Sequence, residues 1–376
     1  MKRNKKKTAS MIATVILVIV IGVFIAGYAM FHEKLQAAQT VKKIDSLYAK
    51  DDAGNIMETK GEHEIYKMEY RGDYGFTAFL EQGGATDSDE MAKYITNFLS
   101  NGFYKKKVSA SNERDFGCST ISAQSPTGNQ LCGRNYDWEP CNAMIVHTVP
   151  KEGYESYSTV CLDFLGFGED WKPEGLMNQY MSLAAIYVPL DGMNEMGLCV
   201  ADLVAGNEIE THQQTEKADL TTTTAIRLLL DCAGNVEEAV DLLSQYDMNS
   251  DIGTAHHLSI SDADGNSVVV EYVDEKMKVT ETSVVTNHYL TEGKYYDVGS
   301  EQSHERYDLL TQNLRKSDGI MSLYEIKKNL SGVAQSNFSG NEEITVWSIV
   351  YDKTNLTIDY YFTEDYGRTD SFEIKR

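Results

Sequence analysis

The sequence predicts an α+β fold in which sheets and helices stack in layers, rather than a doubly wound parallel sheet. Three observations predict it. Strand patterns are grouped together, as in the run His257–Ser261, Ser267–Val273, Lys276–Thr282 and Val284–Asn287, with turns at Asp262-Ala263-Asp264-Gly265 and Asp274-Glu275. Helical patterns come in pairs, Thr221–Ala233 with Val236–Tyr246 and Ser303–Lys316 with Ser322–Gln335. Two hairpins bracket these segments: residues 118–138, folded about Thr127 in the turn Ser125-Pro126-Thr127-Gly128-Asn129, and Glu343–Tyr351 with Leu356–Thr363, which closes the chain.

In chain order, the first segment bears on the compartment. Lys2, Arg3, Lys5, Lys6 and Lys7 precede a charge-free, mostly apolar run from Met11 to Phe31. That run is about the length that crosses a bilayer and longer than the ~7–15-residue core of a cleaved signal. Residues 1–31 are therefore expected to be a cytoplasmic basic tail and a transmembrane signal anchor, a single pass that leaves the rest of the chain outside the cell membrane. The alternative is a long cleaved signal ending near Ala26-Gly27-Tyr28-Ala29, which makes the body secreted. Residues 32–61, polar and charged with a turn at Asp51-Asp52-Ala53-Gly54-Asn55, read as a juxtamembrane linker.

Residues 62–117 follow as a leader segment. Thr86-Asp87-Ser88-Asp89 offers caps to a helix whose Met91, Tyr94, Ile95, Phe98 and Leu99 recur at helical spacing until Asn101-Gly102. This apolar stripe needs a partner and the segment is small for a core of its own, so it is expected to pack on the domain of residues 118–376. In that domain the first hairpin is followed by strands at Met144–Val149, Ser158–Phe164 and Met181–Val188. The turn Asp191-Gly192-Met193-Asn194-Glu195 then enters the strand Leu198–Val204.

Charge excludes one class of partner. The chain carries −23, and its first 31 residues hold five cations and no acid, so the remainder carries −28. Such a body is repelled by nucleic acid and by anionic membrane surfaces, and no basic stripe with interleaved aromatics is present. Cys118, Cys132, Cys141, Cys161, Cys199 and Cys232 allow three disulfides in an oxidising compartment; if Cys118 stays free, at least one other is unpaired. Cys161, Cys199 and Cys232 lie in apolar runs and read as small buried hydrophobes. No CxxC or Cys/His spacing points to a metal, and none is expected. In His256-His257, neighbours on a strand, one ring is expected to pack and the other to face solvent.

The first hairpin carries the chemistry. Folding about Thr127 sets Cys118 opposite Tyr136, with Arg134 diagonally beside it and Asp137 close by. A thiol becomes a nucleophile when a nearby cation biases it toward thiolate. Gly117 in front of Cys118 points to a further step, cleavage of the Gly117–Cys118 peptide bond. The freed α-amino group would titrate near neutrality and serve as the base, with Asp137 orienting it.

Cys118 followed by Gly133-Arg134-Asn135-Tyr136-Asp137-Trp138 resembles the N-terminal-nucleophile hydrolases of the choloylglycine hydrolase family, which includes bile-salt hydrolases and penicillin V acylases. The similarity continues in order through Asp191-Gly192-Met193-Asn194-Glu195-Met196-Gly197-Leu198, Val285-Thr286-Asn287 and Ser303-His304-Glu305-Arg306-Tyr307. It implies an αββα sandwich, two antiparallel sheets between helix layers. It also implies hydrolysis of a linear, non-peptide amide of a small-molecule N-acyl substrate, with no cofactor.

Carried over by position, the resemblance makes Cys118 the nucleophile, Arg134 and Asp137 its partners, the Asn287 side chain an oxyanion donor and Arg306 a further charge in the pocket. Val204 stands where relatives often have asparagine or tyrosine, so only its backbone N–H is expected to serve; Asn194 is expected in its turn first and near the pocket second. Many relatives begin with the cysteine, whereas here Gly117–Cys118 must be cut internally. An acyltransferase using the same thioester and an inactive tethered binding protein are the alternatives, and homo-oligomerisation is open.

Overall fold

The computed structural model describes residues 31–46, 49–50, 56–57, 63–100, 117–168, 171–206, 210–250, 254–335 and 344–375. No helix among them is long and apolar enough to cross a membrane, and the expected anchor, up to residue 30, lies outside the described residues.

The opening hairpin forms as its turn chemistry requires. Strands β3 (Gly117–Gln124) and β4 (Gln130–Trp138) pair antiparallel with Cys118 opposite Tyr136 and Thr120 opposite Arg134. Ser125 Oγ accepts from the amides of Thr127 and Asn129, and Gly128 takes the left-handed φ of 92° that the loop needs. Further along, β12 (Val284–Val285) joins the outer side of β3, and β13 (Ile344–Asp352), β14 (Thr357–Phe362) and β15 (Asp370–Glu373) extend the other side. The result is a six-stranded sheet in the order β12-β3-β4-β13-β14-β15.

The second sheet has nine strands. Its body strands are β5 (Ala143–Val149), β6 (Ser156–Cys161), β7 (Asp191–Asn194), β8 (Cys199–Val204), β9 (His256–Ser261), β10 (Ser267–Val273) and β11 (Lys276–Glu281). The residues before Cys118 add β1 (Lys42–Ser46), within the expected linker, and β2 (Glu64–Arg71), within the leader, for an order β1-β2-β5-β6-β7-β8-β9-β10-β11. Strand β2 runs parallel to β5, Ile65 against Ala143 through Arg71 against Val149.

This changes the reading of residues 32–61 as a linker. Helix α1, residues 31–40, and β1 are parts of the folded unit, with Ala37, Ala38 and Val41 buried. The polar composition of Lys42–Ser46 reflects an edge strand, whose outer face and outer hydrogen-bonding side meet water.

Alternation along each strand sends side chains to both faces, and three apolar layers result. Between the sheets lie Ile65, Cys118, Trp138, Cys161, Cys199, Val346 and Trp347. On the far side of the large sheet, Val146, Val200, Ile260 and Val270 meet α2 (Phe76–Glu81), α3 (Ser88–Ser100), α5 (Thr222–Cys232) and α6 (Val236–Leu243). On the far side of the small sheet, Ile121, Leu131 and Val350 meet α7 (Glu301–Lys316) and α8 (Leu323–Gly332). The architecture is the expected helix–sheet–sheet–helix sandwich, except that the parallel β2–β5 pair makes the larger sheet mixed rather than wholly antiparallel. Helix ends follow local chemistry, with capping boxes at Thr221 and Ser322 and a Ser300 cap on α7.

Some elements differ from expectation. Residues 181–188 are not a strand: α4 (Gly175–Met181) runs into a tight 3-10 turn, Ser182–Tyr187, all six residues of which are buried. A continuous apolar run gives no period to separate strand from helix, and two consecutive alanines favour the helical side. Asp191–Asn194, read as turn, is strand β7, with the reversal after it. His256 and His257 are both buried, because both faces of the large sheet are covered. Cys232 is exposed at the end of α5, while Cys161 and Cys199 are buried.

Candidate active site

Strand geometry decides how the hairpin residues are used. Arg134 and Asp137 are three apart on β4, and a period of two sends them to opposite faces. Arg134 points inward with Cys118: its Nη2 donates to the Asp202 carbonyl at 2.7 Å, its Nη1 to the Asn135 carbonyl at 2.7 Å, and its Nε lies 3.5 Å from Asp191 Oδ2. Asp191 is wholly buried, also accepts from Trp347 Nε1 at 2.9 Å, and was not picked out from the sequence. Its charge compensates a guanidinium that is itself 1% exposed.

Asp137 looks the other way. Its Oδ1 accepts from Thr345 Oγ1 at 2.6 Å, and its Oδ2 lies 3.6 Å from Arg306 Nη1. That same oxygen stands over Gly117: a Cβ built on Gly117 would come within 2.9 Å of it. Any side chain at position 117 would therefore displace the carboxylate from the bond before Cys118. Arg134 and Asp137 lie on opposite faces of the strand yet both act on the Cys118 thiol, Arg134 favouring the thiolate and Asp137 opposing it; Arg134 serves the thiol face and Asp137 the peptide in front of it.

Asn287 arrives by register. Val285 pairs with Thr120 on β3, so two residues further on the antiparallel continuation brings Asn287 alongside Cys118. Its Oδ1 accepts from the Cys118 backbone N–H at 2.6 Å and from Arg306 Nη2 at 2.8 Å, and its Nδ2 donates to the Val204 carbonyl at 3.0 Å. Two donors on one atom and an acceptor on the other fix which way the amide faces. Arg306, near the start of α7, also donates from Nη1 to the Cys118 carbonyl. Thus Cys118, Asn287, Arg306 and Val204 form one connected group, with the oxygen of Asn287, rather than its NH2, toward the Cys118 nitrogen.

Asn194 stands apart from this group. Its Nδ2 donates to the carbonyls of Leu230 and Ala233, and its Oδ1 accepts from the amides of Met196 and Leu198. Two of these bonds close the β7–β8 turn and two tie it to the end of α5, so its side chain is spent on the fold rather than on the pocket.

Burial pushes the Cys118 thiol up, and the Arg134 guanidinium acts against that rise. The cysteine held down, at about 6, is Cys132, mainly because the Cys199 thiol donates to it, with Lys353 adding a positive field. Cys118 is set apart by its main chain, whose nitrogen and carbonyl are both held by side chains, Asn287 and Arg306. Asp137 is raised to about 6 by burial, against the pull of Arg306 and Thr345.

An uncleaved Cys118→Ala protein is therefore expected to carry a stability term that is full below the unfolded carboxyl value near 3.8 and is lost as pH rises through about 6. Adding Asp137→Asn should leave stability unchanged at pH 3 and raise it by up to about 3 kcal/mol above pH 6. Denaturant melts of the two proteins across that range measure it, and equal curves at pH 7 would contradict it.

Among the described residues, two sets of side chains with metal-ligating atoms come together that no sequence spacing announced: Cys141, Cys161 and Asp163, and His288, Asp297 and His304, each within 4.8 Å. The second flanks the site, since His288 follows Asn287 and His304 precedes Arg306 by two.

Comparisons with known proteins place this architecture. No curated protein sequence matches the chain. A mutant conjugated bile acid hydrolase from Clostridium perfringens shares the fold, with a TM-score of 0.54 at 18% identity, covering 68% of this chain and 92% of that one. Penicillin V acylase from Agrobacterium tumefaciens gives a TM-score of 0.46 at 19% identity over 65% of this chain and 83% of its own. The profile of the acyl-coenzyme A:6-aminopenicillanic acid acyl-transferase family matches residues 125–366, beginning just after Cys118. That match spans more than half of the chain, and the fold is shared with the conjugated bile acid hydrolase: the protein belongs to the acyl-coenzyme A:6-aminopenicillanic acid acyl-transferase family.

Proposed function

We propose that the protein is an N-terminal-nucleophile amidase that matures by cleavage of Gly117–Cys118 and then hydrolyses N-acyl amides through an acyl thioester on Cys118. One observation carries this: Asn287 and Arg306 hold the backbone nitrogen and carbonyl of Cys118, not merely its thiol. A structural cysteine has no use for such a grip, whereas a residue whose amide nitrogen becomes a free amine does.

In maturation the Cys118 thiol attacks the Gly117 carbonyl. Asp137, raised to about 6 and standing over that peptide bond, gives the departing nitrogen its proton and is recharged by the thiol proton through water. The C–N bond breaks as the nitrogen gains a proton, leaving residues up to Gly117 as a thioester, which water hydrolyses to the Gly117 carboxylate and the free thiol. The new ammonium lies between Asn287 Oδ1 and the Asp137 carboxylate. In turnover that amine, once neutral, accepts the thiol proton and later gives it to the leaving amine. The second hydrogen of Asn287 Nδ2 and the Val204 backbone N–H are the proposed donors to the oxyanion, and Arg134 stabilises the thiolate.

The linear amides of the family's hydrolases, conjugated bile acids and penicillin V among them, set the substrate class proposed here. The family profile bears the description of an acyl-transferase, so transfer of the acyl group to an amine is the second reading. Intact mass of the purified protein tests maturation directly: a body beginning at Cys118 is expected, and an intact Gly117–Cys118 bond favours an inactive binding protein. Turnover of an N-acyl amide with added amine acceptors then separates acid product from transferred acyl group.

Cleavage should not release the leader. Strand β2 remains paired with β5, and Ile65, Tyr66, Met68, Tyr70 and Phe79 are buried against the body. Two fragments are expected on a denaturing gel that co-elute as one species in native size exclusion; separation without denaturant would contradict this.

A further inference from the structure

Leader and body enclose a cavity of about 710 Å³, within the range of small-molecule pockets, about 300–1,000 Å³. It opens between α3, through Met91 and Ile95, and α4, through Leu176, Met177 and Tyr180, and among the described residues no charged side chain lines it. Phe31 forms part of its wall. At the opening Phe31, Leu176 and Met177 are 52%, 52% and 72% exposed, an apolar rim left to solvent. The occupant must be apolar along its length and keep any polar end outside, because nothing inside could hold a charge.

We infer that this groove takes an acyl chain of a bilayer phospholipid. The inference rests on reading Met11–Phe31 as a membrane anchor. Phe31 is both the last residue of that apolar run and a wall of the groove, and α1 is pinned to the body through buried Ala37 and Ala38. The groove therefore sits where the chain leaves the bilayer, with its apolar rim at the lipid surface. Because its walls come from both sides of Gly117–Cys118, a lodged lipid chain adds to the contacts that hold leader and body together. The cavity residue Phe164 also packs on Trp138, next to Asp137, so a substrate acyl chain is the occupant to be told apart.

The test uses the full chain in phosphatidylcholine vesicles doped with phosphatidylcholine carrying a photoreactive diazirine on one acyl chain. After irradiation and digestion, adducts are expected on residues 88–99 and 175–188 as well as 11–31. Ala92→Trp, which fills the groove, and Met177→Asp, on the exposed rim, should each lower the groove adducts severalfold while those on 11–31 stay. Cys118→Ala should keep them all, which separates lipid binding from the amidase reading. Adducts confined to 11–31, loss of groove adducts with excess N-acyl amide, or a chain that sheds residues 11–31 and takes no groove adduct would each overturn the inference.

Discussion

A Cys118→Ala protein is expected to run as one uncleaved chain and to show no turnover of any N-acyl amide, a fall of about 10⁴-fold or more if the nucleophile dominates as in other hydrolases. The two losses have one cause, since the same sulfur attacks Gly117 and later the substrate. Cys118→Ser separates them in degree: its hydroxyl is the weaker nucleophile at neutral pH, so slow cleavage with turnover near background is expected. Folding is not at stake, because alanine at this inward position removes one sulfur from a layer that keeps Trp138, Val346 and Trp347. Intact mass and a fluorogenic N-acyl amide assay measure both effects. Full activity in Cys118→Ala would remove the proposed mechanism.

Asn287→Leu is expected to have the next largest effect, about 10²–10³-fold in kcat and a comparable slowing of maturation, the size found when a preorganised polar group is lost from an acyl-transfer site. Leucine deletes the acceptor for the Cys118 N–H and leaves Arg306 Nη2 and the Val204 carbonyl without the partner they have now. Asn194→Leu is the control with a similar change in another place. It breaks four bonds of the β7–β8 turn and should lower Tm, while the folded fraction matures and turns over normally. Equal kinetic loss in both variants would assign Asn287 a structural role instead.

The reach of local information explains which features could be read early. Hairpin 118–138 was legible to the residue, because turn chemistry at Ser125–Asn129 and a period of two are properties of contiguous chain. The same period already separates Arg134 from Asp137, and closeness in sequence concealed it. Residues 42–46 and 181–188 were misread because an edge strand and an unbroken apolar run lack the pattern that identifies their element. Helix caps at Thr221, Ser300 and Ser322 behaved as local rules predict.

By itself, then, the sequence determined the layered α+β class, the hairpin register, most element identities and, through ordered motifs, the positions of Cys118, Asn287 and Arg306. Tertiary structure alone decided that the expected linker and leader each supply a strand of the larger sheet, that Asp191 compensates Arg134, and that Asn287 turns its oxygen to the Cys118 nitrogen. Each joins segments far apart in the chain, and such pairings leave no periodic trace: they are set by which faces remain to be buried and which buried charges remain to be matched once the local elements exist.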